Sequence, residues 1–328
     1  MSTEASFGPK TWLALLCLLV GCTRANTPVG YELDLPPDPP AHVKPKPLVR
    51  PKVAADAVQR AAGPVRVVRL RDDAELSGPA LGRELLEYDA LCAGEEHDSA
   101  AQHYGQLWLE QRLAARAENL GLELGVGFEM WANRFQGTLN YYAAGKLSEA
   151  DFLEQTEYES RWGYSFSYYR PLLDSARSLG LPLVALNARS EVTSHIAREG
   201  LSDLPQNLSF DLPELDLNDP EHRADFERRM KDHPGVTPAD LDRYYAAQVV
   251  WDETMAENAA RWLDRHAPVR RLLIIAGQAH CQRSAIPSRI ERRAARHAAA
   301  LLLATAVPNA EKSHFDYALI VGPAEASR

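Results

Sequence analysis

Four cysteines in 328 residues are too few for a disulfide scaffold. Basic side chains are in deficit, 36 Lys and Arg against 45 Asp and Glu, so the electropositive footprint of a nucleic-acid binder is absent. The apolar run Thr11–Val20 near the N-terminus would rise about 15 Å as a helix, roughly half a bilayer core, and cannot span one. Gly125-x-Gly127 lacks the spacing and the lysine of a phosphate-binding loop. No Gly-x-Ser-x-Gly elbow marks a serine hydrolase. What is present is the composition of a globular protein, 45% apolar and 25% charged, long enough to bury a substantial core.

The first 60 residues differ from the rest. Lys10 followed by Thr11–Val20 has the size of a signal-peptide apolar segment. Leu19-Val20-Gly21-Cys22 resembles the bacterial lipobox, which implies cleavage after residue 21 and a lipid (palmitate) anchor on Cys22. Thr23 in the next position favours the outer membrane of a Gram-negative envelope over inner-membrane retention. Eight prolines between Pro28 and Lys52 favour extended backbone, so residues 22–60 are expected to be a lipidated spacer. The folded domain is expected over residues 61–325.

Within it, apolar runs of strand length alternate with helical patterns. Strands are expected at Val65–Leu70, Ala90–Ala93, Leu124–Met130, Leu181–Leu186 and Arg271–Ala276. Helices are expected at 80–88, 107–120, 172–179 and 244–263. This alternation predicts an α/β fold: a mainly parallel sheet with helices on both faces. A smaller helical insert is expected over about 202–243, with His222 and His233 exposed to solvent.

Polar residues gather where those strands end. One strand runs into Gly94-Glu95-Glu96-His97, the next into Glu129, another into Asn187, and the last into Gly277-x-x-His280. In an open parallel sheet these ends share one edge, where ligands bind. Gln248 and Asp252 fall on or beside the apolar stripe of the 244–263 helix; they either bond a neighbouring loop or border this cleft. His97, Glu129 and His280 could supply three ligands to a divalent metal, with Glu95 or Glu96 as general base on its water. Cys92 and Cys281 sit at neighbouring strand ends, as a disulfide or as free thiols.

These blocks carry a family resemblance. Gly94-Glu95-Glu96-His97-Asp98, Gly127-Phe128-Glu129-Met130, Gln136, Trp162 and Tyr169-x-Pro171-Leu172-Leu173 resemble the ChaN-like haem-binding lipoproteins. So do Leu186-Asn187, Ala247-Gln248-x-x-x-Asp252-x-x-Met255-Ala256 and Ile275-Ala276-Gly277-x-x-His280. The likeness spans about residues 63–295, and the segment beyond Ile290 departs from it. It implies a large α/β domain, haem as cofactor and a part in haem or iron uptake. The wider group contains the Tiki and TraB proteins, whose paired Gly-x-x-His motifs are linked to metal-dependent protease chemistry, and the erythromycin esterases. A metal-dependent hydrolase is therefore the alternative, and an esterase-like site using His97 as base a weaker one. For haem, the resemblance directs attention to Arg161–Arg170, which holds five aromatics. Tyr164, Tyr168 and Tyr169 are candidate iron ligands and Arg161 and Arg170 candidate propionate partners. The same aromatics could instead pack a domain junction. A planar ligand of this size could also sit between the subunits of a homodimer.

Overall fold

The computed structural model describes residues 54–231, 236–265, 268–306 and 312–323. The signal segment, Cys22, the proline-rich stretch up to residue 53 and His233 lie outside them; residues 54–60, expected in the spacer, belong to the folded unit, with Ala57–Arg60 a helical turn and Val58 buried in the core.

Eight strands form one sheet: β1 (Val65–Arg69), β2 (Ala74–Leu76), β3 (Ala90–Glu95), β4 (Glu123–Ala132), β5 (Leu183–Asn187), β6 (Arg270–Gly277), β7 (Ala298–Ala304) and β8 (Tyr317–Val321). Their order is β2-β1-β8-β7-β3-β6-β4-β5. From β8 to β5 every neighbouring pair is parallel, and β1 runs antiparallel to both β2 and β8. This is the mainly parallel α/β sheet expected.

Alternation along each strand divides the core in two. Leu91, Ala93, Leu273, Ile275, Leu301 and Leu303 face one cluster, beneath Leu109, Leu113 and Ala117 of the Ala100–Leu120 helix. Ala90, Cys92, Leu272, Ile274, Ala300 and Leu302 face the other, beneath Met255, Ala256, Ala259 and Leu263 of the Pro238–Asp264 helix. Both faces are covered, which is why these strands are continuously apolar. Gly125 and Gly127, which resemble half of a nucleotide loop, have a packing role. A Cβ on Gly125 would lie 2.6 Å from the Trp262 ring, and one on Gly127 would lie 2.7 Å from Leu186.

Strands β2, β7 and β8 were not expected. The run Ala298-Ala299-Ala300-Leu301-Leu302-Leu303 has the composition of a helix former, yet it is buried on both faces between β3 and β8. Tertiary pairing overrides propensity there. The long helix begins at Pro238, six residues before the expected start, because Thr237 and Asp240 form a reciprocal capping box with proline in the first turn. Segments Leu201–Asp203, Gln206–Ser209 and Pro220–Met230 are helical turns and a helix packed against it. The arginines beyond Ile290 anchor this packing. Arg292 and Arg293 meet the fully buried Glu253 at 2.7 and 2.5 Å, and Arg289 meets it at 3.3 Å.

A disulfide joins Cys92 in β3 to Cys281 just past β6, 189 positions apart in the sequence. Closing so long a loop restricts the unfolded chain. Replacing both cysteines by alanine is expected to cost about 2–5 kcal/mol, read from urea denaturation. An unchanged midpoint would contradict this.

Candidate functional site

The two Gly-x-x-His turns nest into each other. Glu95 pairs in register with Gly277, and the Gln278 N–H donates to the Glu95 carbonyl at 2.8 Å. A Cβ on Gly94 would lie 2.9 Å from the Gln278 Cα and 3.0 Å from the Cys281 Cβ. On Gly277 it would lie 2.9 Å from Cε1 and Nε2 of His97. Each glycine therefore admits the opposite turn, a tighter use than the approach to a ligand that the motif suggests.

Two polar clusters meet at this seam. The first centres on Glu95, whose carboxylate is fully buried. Its Oε1 lies 2.9 Å from His97 Nδ1 and accepts the Tyr169 hydroxyl at 2.7 Å. Its Oε2 faces His103 Nδ1 at 3.2 Å, out of line for a hydrogen bond, while His103 Nε2 lies 3.2 Å from the His97 carbonyl. The second cluster centres on His280. Its Nδ1 lies 2.5 Å from Asp252 Oδ1 and its Nε2 3.3 Å from Glu129 Oε1. Asp252 Oδ2 accepts from Gln248 at 3.1 Å and lies 2.8 Å from His222 Nε2. Glu129 Oε2 accepts the Gly277 N–H at 2.6 Å, and the Asn187 amide donates to the Glu129 carbonyl at 2.7 Å.

Electrostatics follow from this geometry. Burial alone would lower the His280 pKa, but the charges of Glu129 and Asp252 outweigh it and push it up to about 10. Burial would raise Asp252 and Glu129; the His280 cation and the hydrogen bonds hold both below the usual carboxylate range. His97 is raised too, since its bond to Glu95 and the charge of Glu129 exceed the cost of burial.

Of the residues singled out from sequence, Glu95, His97, Glu129, Asn187, Gln248, Asp252 and His280 are brought together. Glu96 is exposed, and it is its backbone N–H that bonds, to Gln102 Oε1 at 2.6 Å. The proposed metal set does not form. Both His280 nitrogens face carboxylates, so its ring presents protons where a metal needs a lone pair. Among the described residues no group of three or more His, Cys, Asp or Glu is arranged to hold a metal. His222, expected in solvent, is fully buried between Asp252 and the Tyr245 hydroxyl. The Asp219 cap and Pro220 set the start of its helix and place it in the first turn, facing inward. Glu95 also brings His103 beside His97, six residues apart, a contact that no spacing rule reveals.

The aromatic block divides in the same way. Tyr169 is buried, and Trp162 Nε1 donates to its hydroxyl at 3.1 Å. Tyr168 is buried, donates to the Asp98 carbonyl at 2.9 Å and stacks on His103. Neither presents a phenol to a ligand, so both are corrected to packing roles. Tyr164 and Trp162 are half-buried, with rings 4.8 and 4.9 Å from that of His97. Arg161 is held by Glu157, Ser190 and Glu191, and Arg170 by Glu149. Their charge is satisfied within the protein, so they are not the propionate clamp expected.

A rim of this kind, on a sheet of this order, defines the class. Residues 81–290 match the family described as haem-binding uptake, Tiki superfamily, ChaN, and the chain belongs to that family. The fold is similar to that of ChaN of Campylobacter jejuni, in a structure described as showing cofacial haem binding. The TM-score is 0.62 at 16% identity, over 78% of this chain and 96% of that one. An erythromycin esterase mutant, EreC in its open conformation, aligns over 81% of this chain and 84% of its own at 14% identity and TM-score 0.43. RRSP, a MARTX toxin effector domain from Vibrio vulnificus, aligns over 65% of this chain and 32% of its own at 18% identity and TM-score 0.35. No curated protein matches the sequence.

The raised His280 contributes stability that is fully present below about pH 6.5, the unfolded value, and lost as pH rises toward about 10. Its imidazole is expected to stay doubly protonated at neutral pH in NMR titration; a midpoint near 6.5 would contradict the geometry. His280→Ala strands two buried carboxylates and is expected to cost about 3–5 kcal/mol in denaturant unfolding.

Proposed function

We propose that this protein binds haem at the rim, beside His97, Trp162 and Tyr164. The observation that carries this reading is the His97 side chain. Its Nδ1 is held by a buried carboxylate, and its ring lies at the half-open rim against two aromatics. A carboxylate on the far nitrogen fixes the tautomer and raises the basicity of a ligating imidazole. Tyr164 offers the alternative donor, a phenol, which suits ferric haem. The donor chemistry thus fits a haem iron, and Trp162 with Tyr164 supplies apolar ring surface. Bound haem would supply an iron centre needing one such donor. The chain's own residues would hold that donor still and limit water at the rim.

Family membership supports the same ligand. The wider assignment is a lipoprotein, anchored through Cys22 to the outer membrane, that takes part in haem or iron uptake. The described residues include no helix long and apolar enough to cross a membrane. A homodimer sharing the ligand is consistent with a donor set that lies at a surface. The hydrolase reading through a divalent metal has less support, because His280 lacks a lone pair to give.

Titrating the purified protein with haemin is expected to give a saturable absorption band at micromolar concentration. Tyr164→Phe and His97→Ala are tested against Tyr141→Phe, a substitution at an exposed ring. At least one rim variant is expected to weaken binding about tenfold or displace the band, with the control unchanged. No band, or rim variants identical to the control, would overturn the proposal.

A further inference from the structure

A second site lies across the sheet from the rim. A groove of about 440 Å³ runs between edge strand β2, the Gly78–Leu85 helix and the C-terminal half of the Ala100–Leu120 helix. Strand β2 is separated from β3 by β1, β8 and β7, so the groove is remote from His97 and His280. Its volume is in the range of small-molecule sites, about 300–1,000 Å³.

The lining is chemically divided. Leu76, Leu81 and the half-buried Trp108 give an apolar floor. Arg112 and Arg116, one helical turn apart, give it positive charge. Most described arginines in this acidic protein are paired with a carboxylate; these two are not among the ion pairs. Arg112 lies over the Trp108 ring, 5.1 Å from its centroid. Arg116 lays its aliphatic stem against Gly82, where a Cβ would be 2.8 Å from its Cγ. That contact buries the Arg116 Nε with no hydrogen-bond partner. Opposite, Ser77 caps the Gly78–Leu85 helix without a side-chain bond to it, and a Cβ on Gly78 would meet open space. The helix start adds partial positive charge on that side. Glu75, the one carboxylate of the lining, is drawn to Arg66 at 3.4 Å.

We propose that this groove binds an organic carboxylate with a flat apolar body. The carboxylate would bridge the guanidinium groups of Arg112 and Arg116, while the body would lie on Trp108 and the leucines. Two arginines suit an oxyanion through paired N–H donors, and the aromatic floor distinguishes such a ligand from a bare anion.

The test is calorimetric titration of the purified protein with 2-naphthoate, 2-naphthamide and inorganic phosphate. Naphthoate is expected to bind saturably at one site with a submillimolar Kd. The neutral amide and phosphate are each expected to bind at least tenfold more weakly. Arg112→Gln/Arg116→Gln, with an unchanged thermal melt, is expected to weaken naphthoate at least tenfold, and Trp108→Leu to weaken it several-fold. No saturable naphthoate binding would overturn the proposal. So would an amide or a phosphate that binds as tightly, or full affinity in the double arginine variant.

Discussion

Three carboxylates buried at one end of a sheet cannot stay charged unless cations or donors meet them. That constraint organises the rim. Glu129 and Asp252 grip His280 from both sides, and Glu95 takes His97, Tyr169 and the edge of His103. Removing one partner would leave a buried charge exposed to its own desolvation cost. The partners come from β3, β4 and the turns after β3 and β6, from Tyr169, and from the Ala100–Leu120, Pro220–Met230 and Pro238–Asp264 helices, so the network also fixes where those elements lie. The Cys92–Cys281 bond sits just beneath, tying β3 to the turn that carries His280.

The nested turns give the two histidines different tasks. His280 is enclosed, with both nitrogens committed, and acts as the cation that makes Glu129 and Asp252 tolerable. His97 is half-open, has one nitrogen committed to Glu95, and stands beside Trp162 and Tyr164. Two identical sequence motifs thus yield one internal counterion and one rim side chain. Both His280 nitrogens face carboxylates, and among the described residues no group of three or more His, Cys, Asp or Glu is arranged to hold a metal.

The layered fold was legible because its signals are local. Runs such as Leu272–Ile275 stop at glycine, and each falls at a strand end in the structure. Most rim residues were legible for the same reason. What escaped depends on contacts distant in sequence. The Ala298–Leu303 run becomes a strand only because β3 and β8 flank it. His222 is buried only because its helix packs on Tyr245 and Asp252. Tyr168 and Tyr169 look like ligands in a list of aromatics, but their hydroxyls are used by Asp98 and Glu95. Arg161 and Arg170 look free until Glu191 and Glu149 are placed beside them. Arg112 and Arg116, which form no ion pair among the described residues, lie elsewhere, where no motif drew attention.

The account rests on a division of labour at the rim: His97 and Tyr164 half-buried at its edge, His280 enclosed. A crystal structure of the protein grown with haemin tests it most directly. The account predicts iron within bonding distance of His97 or Tyr164, with His280 still held between Asp252 and Glu129. Iron bound to His280, or haem seated away from this rim altogether, would contradict it.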